Sequence, residues 1–374
     1  MSEEQDKAEP GNLTPAELAA IEARFRQRRA RRGGGLPTAV PGRHRPWWLL
    51  IGGGLLLLVV SLLAWLPGQG SWLPLTQPPG PRLPPLETPP PVPDFGASAH
   101  LIAGARVVPG ATLAPLAGLA VGSEAARAAQ RLVSETHRLP IEIENSIGMR
   151  FRLVPAGTYL MGSPKSERYH RADELEHVVV LPRPFYLGKF EVTQAEWALV
   201  MGAERNPSGF RSPDGRRPVE EVTWPACQEF LRRLAEREQV PAARYRLPTE
   251  EEWEYACRAG TQTAWCFGDD EPLLPFYAGY QANSKWGSHP VGQYRPNAWG
   301  FHDLHGNVWE WCQNDYYFYD TKVADSQRKS LRGGTWYHHA DDCRSASRFR
   351  YTHATHGNML GLRVLRTIEA SLEP

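Results

Sequence analysis

Two carboxylates, Asp303 and Glu310, flank the turn residues His305, Gly306 and Asn307. Hard cations such as Ca²⁺ take six to eight oxygens at ~2.3–2.6 Å, and a tight glycine turn can aim two carboxylates and two intervening carbonyls at one point. The alternative is that Glu310 pairs with an arginine and no ion binds. Further on, between Trp336 and Gly361, stand Tyr337, His338, His339, Asp341, Asp342, Ser347, Phe349, Tyr351, Thr352, His353, Thr355 and His356. Tyr and His offer large amphipathic contact area at low entropic cost and Ser, Thr and Asp supply hydrogen bonds, so this composition on a rigid scaffold reads as a binding face. The cysteines Cys227, Cys257, Cys266, Cys312 and Cys343 show no CxxC spacing. Buried free cysteine acts as a small hydrophobe, an odd count leaves at least one thiol without an intrachain partner, and one disulfide is open to a domain outside the membrane.

These residues need elements to hold them. Met149–Val154 and Gly157–Met161 read as a β-hairpin turning at Pro155-Ala156-Gly157. Thr193 opens a helix carrying Trp197 and Val200. Thr223 caps a second, with Pro225 near its start and Cys227, Phe230, Leu231 and Leu234 as an apolar stripe. Thr249 and Glu252 form a capping box for a third, which turns Trp253, Ala256 and Cys257 inward and stops at Gly260. Beyond it Gly, Pro and Asn recur without periodicity. The expectation is an α+β, loop-rich domain with a small twisted sheet and two or three helices. Glu124–Thr136 has helical character, either docked on that domain or part of a flexible extension.

Seven motifs occur in order: Phe151–Gly162 (FRLVPAGTYLMG), Phe190-Glu191-Val192-Thr193, Tyr245–Ala259 (YRLPTEEEWEYACRA), Gly306–Trp311 (GNVWEW), Arg332-Gly333-Gly334-Thr335-Trp336, Cys343-Arg344-Ser345-Ala346 and Gly361-Leu362-Arg363. The series resembles the formylglycine-generating enzyme (sulfatase-modifying factor) family, whose members share a C-type-lectin-like fold. The resemblance implies a structural calcium on Asp303, the carbonyls of Gly306 and Val308, and Glu310. A second family calcium site falls near Asn283-Ser284, where this chain looks shortened through His289 and lacks the matching aspartate. The family's oxidases bind copper(I) with two cysteines after the Gly-Gly landmark, soft thiolates being the natural ligands. Counted from Gly333-Gly334 without gaps, those positions are His338 and Cys343, so the first cysteine is missing. A short deletion aligns Arg344–Arg348 better and makes Cys343 a core cysteine instead. The stretch from Tyr337 to His356 also looks like the variable region of lectin-fold proteins diversified by retroelements. Arg348, Arg350 and Arg363 are expected to support the fold by buried carboxylate or carbonyl pairing.

A net charge of +1, from 42 basic and 41 acidic residues, gives no reason to expect a nucleic-acid partner. Trp47–Leu66 is an uncharged apolar run long enough to cross a ~30 Å hydrocarbon layer, with tryptophan at its start and arginines clustered before it. That bias orients a signal anchor with its N-terminus in the cytoplasm. A cleaved signal peptide fits poorly with so long a polar segment upstream and no small-x-small site nearby. The expected organisation is a cytoplasmic Arg-rich tail (1–46), a transmembrane anchor (47–66), a Pro-rich stalk (67–95), an extension (96–140) and the family-like domain (141–368). The domain would lie periplasmic or extracellular on the inner or plasma membrane. The leading functional expectation is a non-catalytic recognition module for a protein, peptide or glycan. The alternatives are a copper-dependent oxidase converting a substrate-protein cysteine to formylglycine, with Cys343 and His338 at its centre, and a structural component of an envelope complex.

Overall fold

The computed structural model describes residues 105–107, 123–319 and 321–368. The tail, the apolar run at 47–66 and the Pro-rich segment lie outside the described residues. Among the described residues no helix is long and apolar enough to cross a membrane.

The larger sheet is built from β1 (Ala105–Val107), β2 (Glu142–Asn145), β3 (Arg150–Val154), β6 (Phe185–Gly188), β7 (Tyr245–Arg246) and β12 (Leu365–Thr367), in the order β1-β2-β3-β6-β12-β7. Every pairing in it is antiparallel. Two further strands, β4 (Gly157–Met161) and β5 (His177–Leu181), form their own two-stranded sheet. The hairpin expected between Met149–Val154 and Gly157–Met161 is therefore not formed, although both strands exist. The reason is burial. After its first residue β3 is buried throughout, and both its edges are taken by β2 and β6, leaving no edge for β4.

The three expected helices are present as α2 (Gln194–Met201), α3 (Trp224–Arg237) and α4 (Glu250–Arg258). Thr193 and Thr249 each sit in a full capping box, with Glu196 and Glu252, and Thr223 accepts from the Ala226 amide. These caps satisfy amide donors that the first helical turn otherwise leaves unpaired. Cys227, Phe230, Leu231 and Leu234 are buried as their spacing requires, and Trp197 stacks on Phe230 at 5.2 Å. α4 ends on Ala259, held in the left-handed region ahead of Gly260.

A preceding helix, α1 (Ser123–Thr136), docks on the domain. Gln130 Nε2 donates to the Leu153 carbonyl at 2.6 Å and Trp299 Nε1 donates to the Ala126 carbonyl at 2.8 Å. Both N–H donors are buried and satisfied by backbone carbonyls, which makes the contact specific.

The remaining sheet positions the site. It runs β10-β9-β8-β11, from β8 (Trp309–Phe318), β9 (Val323–Arg332), β10 (Arg348–Thr352) and β11 (Leu360–Gly361). β8 and β9 form a long irregular hairpin, and β11 lies parallel to the start of β8. Residues 333–347 leave the end of β9 and return as β10. Trp309, Trp311 and Leu331 anchor this sheet in the same core as Phe151, Phe230 and Leu362.

Candidate recognition site

The loop from 333 to 347 is held from below by buried ion pairs. Arg332 reaches Glu254, and its guanidinium also donates to the carbonyls of Ser345 and Ala346 at 3.0 Å and of Ser347 at 2.6 Å. Arg344 binds both oxygens of Glu174 at 2.8 and 2.6 Å, and Arg348 pairs with Glu250 at 2.5 and 2.9 Å. Each pair is bidentate or multiply bonded, the geometry in which a planar guanidinium fixes position as well as charge. Burial disfavours the Glu254 and Glu250 carboxylates, but Arg258 and Arg332 for the first and Arg348 for the second outweigh it, so both titrate below the ordinary range. At the loop's start Gly334 has φ +78°, and a Cβ there would lie 2.7 Å from Cys343 Sγ and 2.9 Å from the Asp342 carbonyl. Only glycine meets both constraints.

Of the residues expected to hold calcium, Glu310 is already paired with an arginine. Arg363 donates to Glu310 at 2.6–3.0 Å, and Trp253 Nε1 donates to its Oε2 at 2.6 Å. The cation at Glu310 is thus a guanidinium, the alternative already visible in the sequence. Asp303 Oδ2 accepts from the Gly292 amide at 2.7 Å, while its Oδ1 is buried without a hydrogen-bond partner. Glu191 accepts from Val308 N at 3.2 Å and from Asn307 Nδ2 at 2.6 Å. Its carboxyl is pushed well above the usual range by burial and then by Asp303 and Glu310. The carbonyls of Gly306 and Val308 lie on the same turn. Among the described residues no three His, Cys, Asp or Glu side chains are grouped to hold a metal.

At the two positions expected for copper(I) the chain holds one imidazole, His338, and one thiol, Cys343. Cys343 is fully buried and its thiol is pushed up by burial and by Asp342 and Asp341, opposite to what a thiolate ligand needs. His338 is half-buried, with Nδ1 bonded to Thr335 Oγ1 at 2.6 Å and its ring edge-on to Trp309 at 5.4 Å. Burial lowers its basicity, against Asp342 and Asp341. All five cysteines are free and buried, so none of them forms a disulfide.

The expected binding face is partly assembled. Tyr337, His339, Thr352, His353 and His356 are exposed, and His338, Asp341, Asp342, Phe349, Tyr351 and Thr355 are half-buried. Ser347 is a correction. It is fully buried, because its carbonyl is an acceptor for Arg332 beneath the loop. Asp341 and Asp342 are both taken by Arg171, at 2.9 and 2.8 Å. Four of the others, Tyr337, His338, Phe349 and Tyr351, are linked by ring contacts that run through the buried Trp336 and Trp309: Phe210 to Trp336 (5.2 Å), Trp336 to Tyr337 (5.6 Å), Tyr337 to His338 (6.0 Å), His338 to Trp309 (5.4 Å), Trp309 to Phe349 (5.6 Å) and Phe349 to Tyr351 (5.1 Å). Centroid spacings of 4.5–7 Å are those of favourable aromatic pairs.

Sequence reasoning missed Trp286. Its ring lies 6.0 Å from Tyr337 and it is 63% exposed, against 51% for Tyr337. Both Lys285 and Trp286 have positive φ, 53° and 63°, a backbone costing ~1–2 kcal/mol per residue for an L side chain. The available signal was one large aromatic set in the polar run Asn283-Ser284-Lys285-Trp286-Gly287-Ser288.

A profile of the Sulfatase-modifying factor enzyme 1-like domain matches residues 140–368. The chain is 29% identical over 231 residues to the Chaperone protein LppX of Paenibacillus barcinonensis, covering 49% of this chain and 80% of that one. It is 32% identical over 230 residues to the formylglycine-generating enzyme of Streptomyces coelicolor, covering 53% and 69%. Among solved structures, Treponema denticola variable protein 1 superposes with a TM-score of 0.55 at 27% identity, over 61% of this chain and 99% of that one. With its motifs in order, the matching profile and the shared C-type-lectin-like architecture, the chain belongs to the formylglycine-generating enzyme (sulfatase-modifying factor) family.

Proposed function

We propose that this chain is a non-catalytic recognition member of the family, which holds a protein, peptide or glycan on the surface between Tyr337 and His356. The observation that carries this reading is the state of the two positions where the family's oxidases place their copper-binding cysteines. One is a histidine committed to Thr335, and the other is a thiol sealed behind Gly334. Copper(I) takes soft thiolates, and a single inaccessible thiol does not supply them. Around them Tyr337, His339, His353 and His356 form an exposed aromatic and histidine-rich face on a rigid base. In this reading residues 47–66 anchor the chain in the inner or plasma membrane, and the Pro-rich segment carries the domain away from it on the periplasmic or extracellular side.

The test is to incubate the purified full-length chain with copper(I) and a cysteine-containing sulfatase-type peptide, then to measure bound metal and peptide mass. The expected result is neither stoichiometric copper nor a mass change. One tightly held copper with conversion of the peptide thiol to an aldehyde would instead establish the oxidase reading, with His338 and Cys343 as an altered centre.

A further inference from the structure

Next to Tyr337 the surface turns basic. The segment from Phe210 to Arg217 sets its first ring edge-on to Trp336 at 5.2 Å. It also meets the strand of chain bearing Trp286, since a Cβ on Gly287 would lie 3.4 Å from Phe210 and 3.7 Å from Arg217 Nη1. Its backbone is fixed at several points. Gln194 Nε2 donates to the Phe210 carbonyl at 2.8 Å, and the amides of Ala195, Gln194 and Val291 donate to the carbonyls of Gly215, Arg217 and Arg216, each at 3.0 Å. Arg211, Arg216 and Lys285 are exposed and Arg217 is half-buried, and none of the four is in an ion pair among the described residues. Arg211 donates to the Asn206 carbonyl at 2.6 Å. The neighbouring acids are held by local hydrogen bonds, although Asp214 still feels the charge of Arg216 and Glu220 that of Arg211. Asp214 accepts from Ser212 and from the Arg216 amide, and Glu221 faces His356 at 4.0 Å.

A net positive, backbone-pinned loop therefore abuts an exposed Trp–Tyr pair. Trp, Tyr and Arg dominate the energetics of protein interfaces, and with the loop backbone already fixed only side-chain freedom is lost when these cations pair with a ligand's carboxylates. The two rings are inclined by 54°, so they present two angled faces to a side chain rather than one flat face to a sugar ring. We infer that this surface takes an acidic, extended segment of a partner protein, its carboxylates on Arg211, Arg216, Arg217 and Lys285 and an apolar side chain against Trp286 and Tyr337. The inference rests on the recognition reading above and specifies its ligand.

The test is fluorescence anisotropy of the full-length chain with a labelled peptide of alternating Glu and Leu, its Lys-for-Glu counterpart, and a heparin fragment as competitor. The Glu peptide is expected to bind at low ionic strength and weaken as salt screens the charges. Its affinity should fall roughly tenfold or more in Arg216→Glu and in Lys285→Glu, and comparably in Trp286→Ala, while the thermal unfolding midpoint does not fall. Both reversed cations are exposed, which protects the fold. No binding of the Glu peptide, equal binding of the Lys peptide, or indifference to both reversals would overturn the inference. Preferential binding of heparin would also overturn it, in favour of an anionic glycan. Loss of binding in Tyr337→Ala and His353→Ala but not in the charge reversals would leave the recognition reading standing and remove the basic loop from it. The copper and peptide-mass experiment addresses that reading independently of loop charge.

Discussion

Arg332, Arg344, Arg348 and Arg363 lie buried against Glu254, Glu174, Glu250 and Glu310, whereas Arg211, Arg216, Arg217 and Lys285, near the Trp286–Tyr337 pair, are in no close ion pair among the described residues. One residue type serves two purposes in neighbouring parts of the molecule. A buried ion pair gains little net stability over a well-packed apolar substitute but is costly to break on one side. Its use here is geometric, because the Arg332 guanidinium ties β9 to the three carbonyls of residues 345–347. An exposed cation contributes almost nothing to folding and is free for a ligand. Arg350 belongs to neither group. It lies over the rings of Tyr316 and Phe318 at 4.6 and 4.9 Å, a cation–π arrangement and not the buried carboxylate or carbonyl pairing expected of it.

The largest effect should come from breaking a buried pair. Glu254→Gln leaves Arg258 and Arg332 without their shared counter-charge and should lower stability by ~3–5 kcal/mol, read as a reduced urea midpoint with an unchanged slope. A loss below ~1 kcal/mol would show that these pairs are replaceable and would erase the contrast with the surface cations. The pH dependence follows from the same group. Because the folded carboxyl titrates below its unfolded range, its contribution is fully present above that range and is lost as pH falls through the lower folded value. The urea midpoint of the native chain should therefore hold from neutral pH down to roughly 5 as far as Glu254 and Glu250 are concerned, then decline below about 4.3. In Glu254→Gln that acid decline should be shallower.

Next in size is Gly334→Ala. The left-handed backbone at φ +78° alone costs ~1–2 kcal/mol, and the added methyl meets Cys343 Sγ at 2.7 Å and the Asp342 carbonyl at 2.9 Å. Thermal unfolding should show a loss above that backbone cost. Adding Cys343→Ala should recover only part of it, because the carbonyl and the φ angle remain. Full recovery would mean that the thiol alone shapes the turn.

The sequence carried the helices and the ionic framework further than it carried the site. Thr193, Thr223 and Thr249 declare their helices through local chemistry, a cap and a spacing, which tertiary packing had no reason to override. Arg348 and Arg363 were legible as buried supports because arginine within an apolar landmark needs a carboxylate or carbonyls. Strand pairing was not legible. β3 and β4 are separated by only two residues, Pro155 and Ala156, yet pairing is decided by which edges the larger sheet leaves open. The same holds for the ligand face. Ser347 is of the polar type expected on the face but sits in a buried run under the loop, where its carbonyl serves Arg332. Trp286 and Phe210 join Tyr337 and Trp336 only because loops far apart in the chain are pinned side by side. Periodicity has no access to such contacts.

The smallest effect on folding, and the most telling of opposite sign, is expected of Trp286→Gly. An exposed tryptophan contributes little burial, and its φ of 63° is one that glycine adopts without penalty. Removing the side chain should leave stability unchanged or raise it by up to ~1 kcal/mol, since the relief of left-handed strain is offset by the larger freedom of glycine in the unfolded chain. Ligand binding should fall in the same variant. That combination is the signature of a residue kept where it works against the fold. The outcome that would sink the idea is a stability loss above ~1 kcal/mol with binding intact. Trp286 would then be a packing residue of the loop, and the contrast between a buried framework that holds and an exposed surface that binds would have to be redrawn around Tyr337 alone.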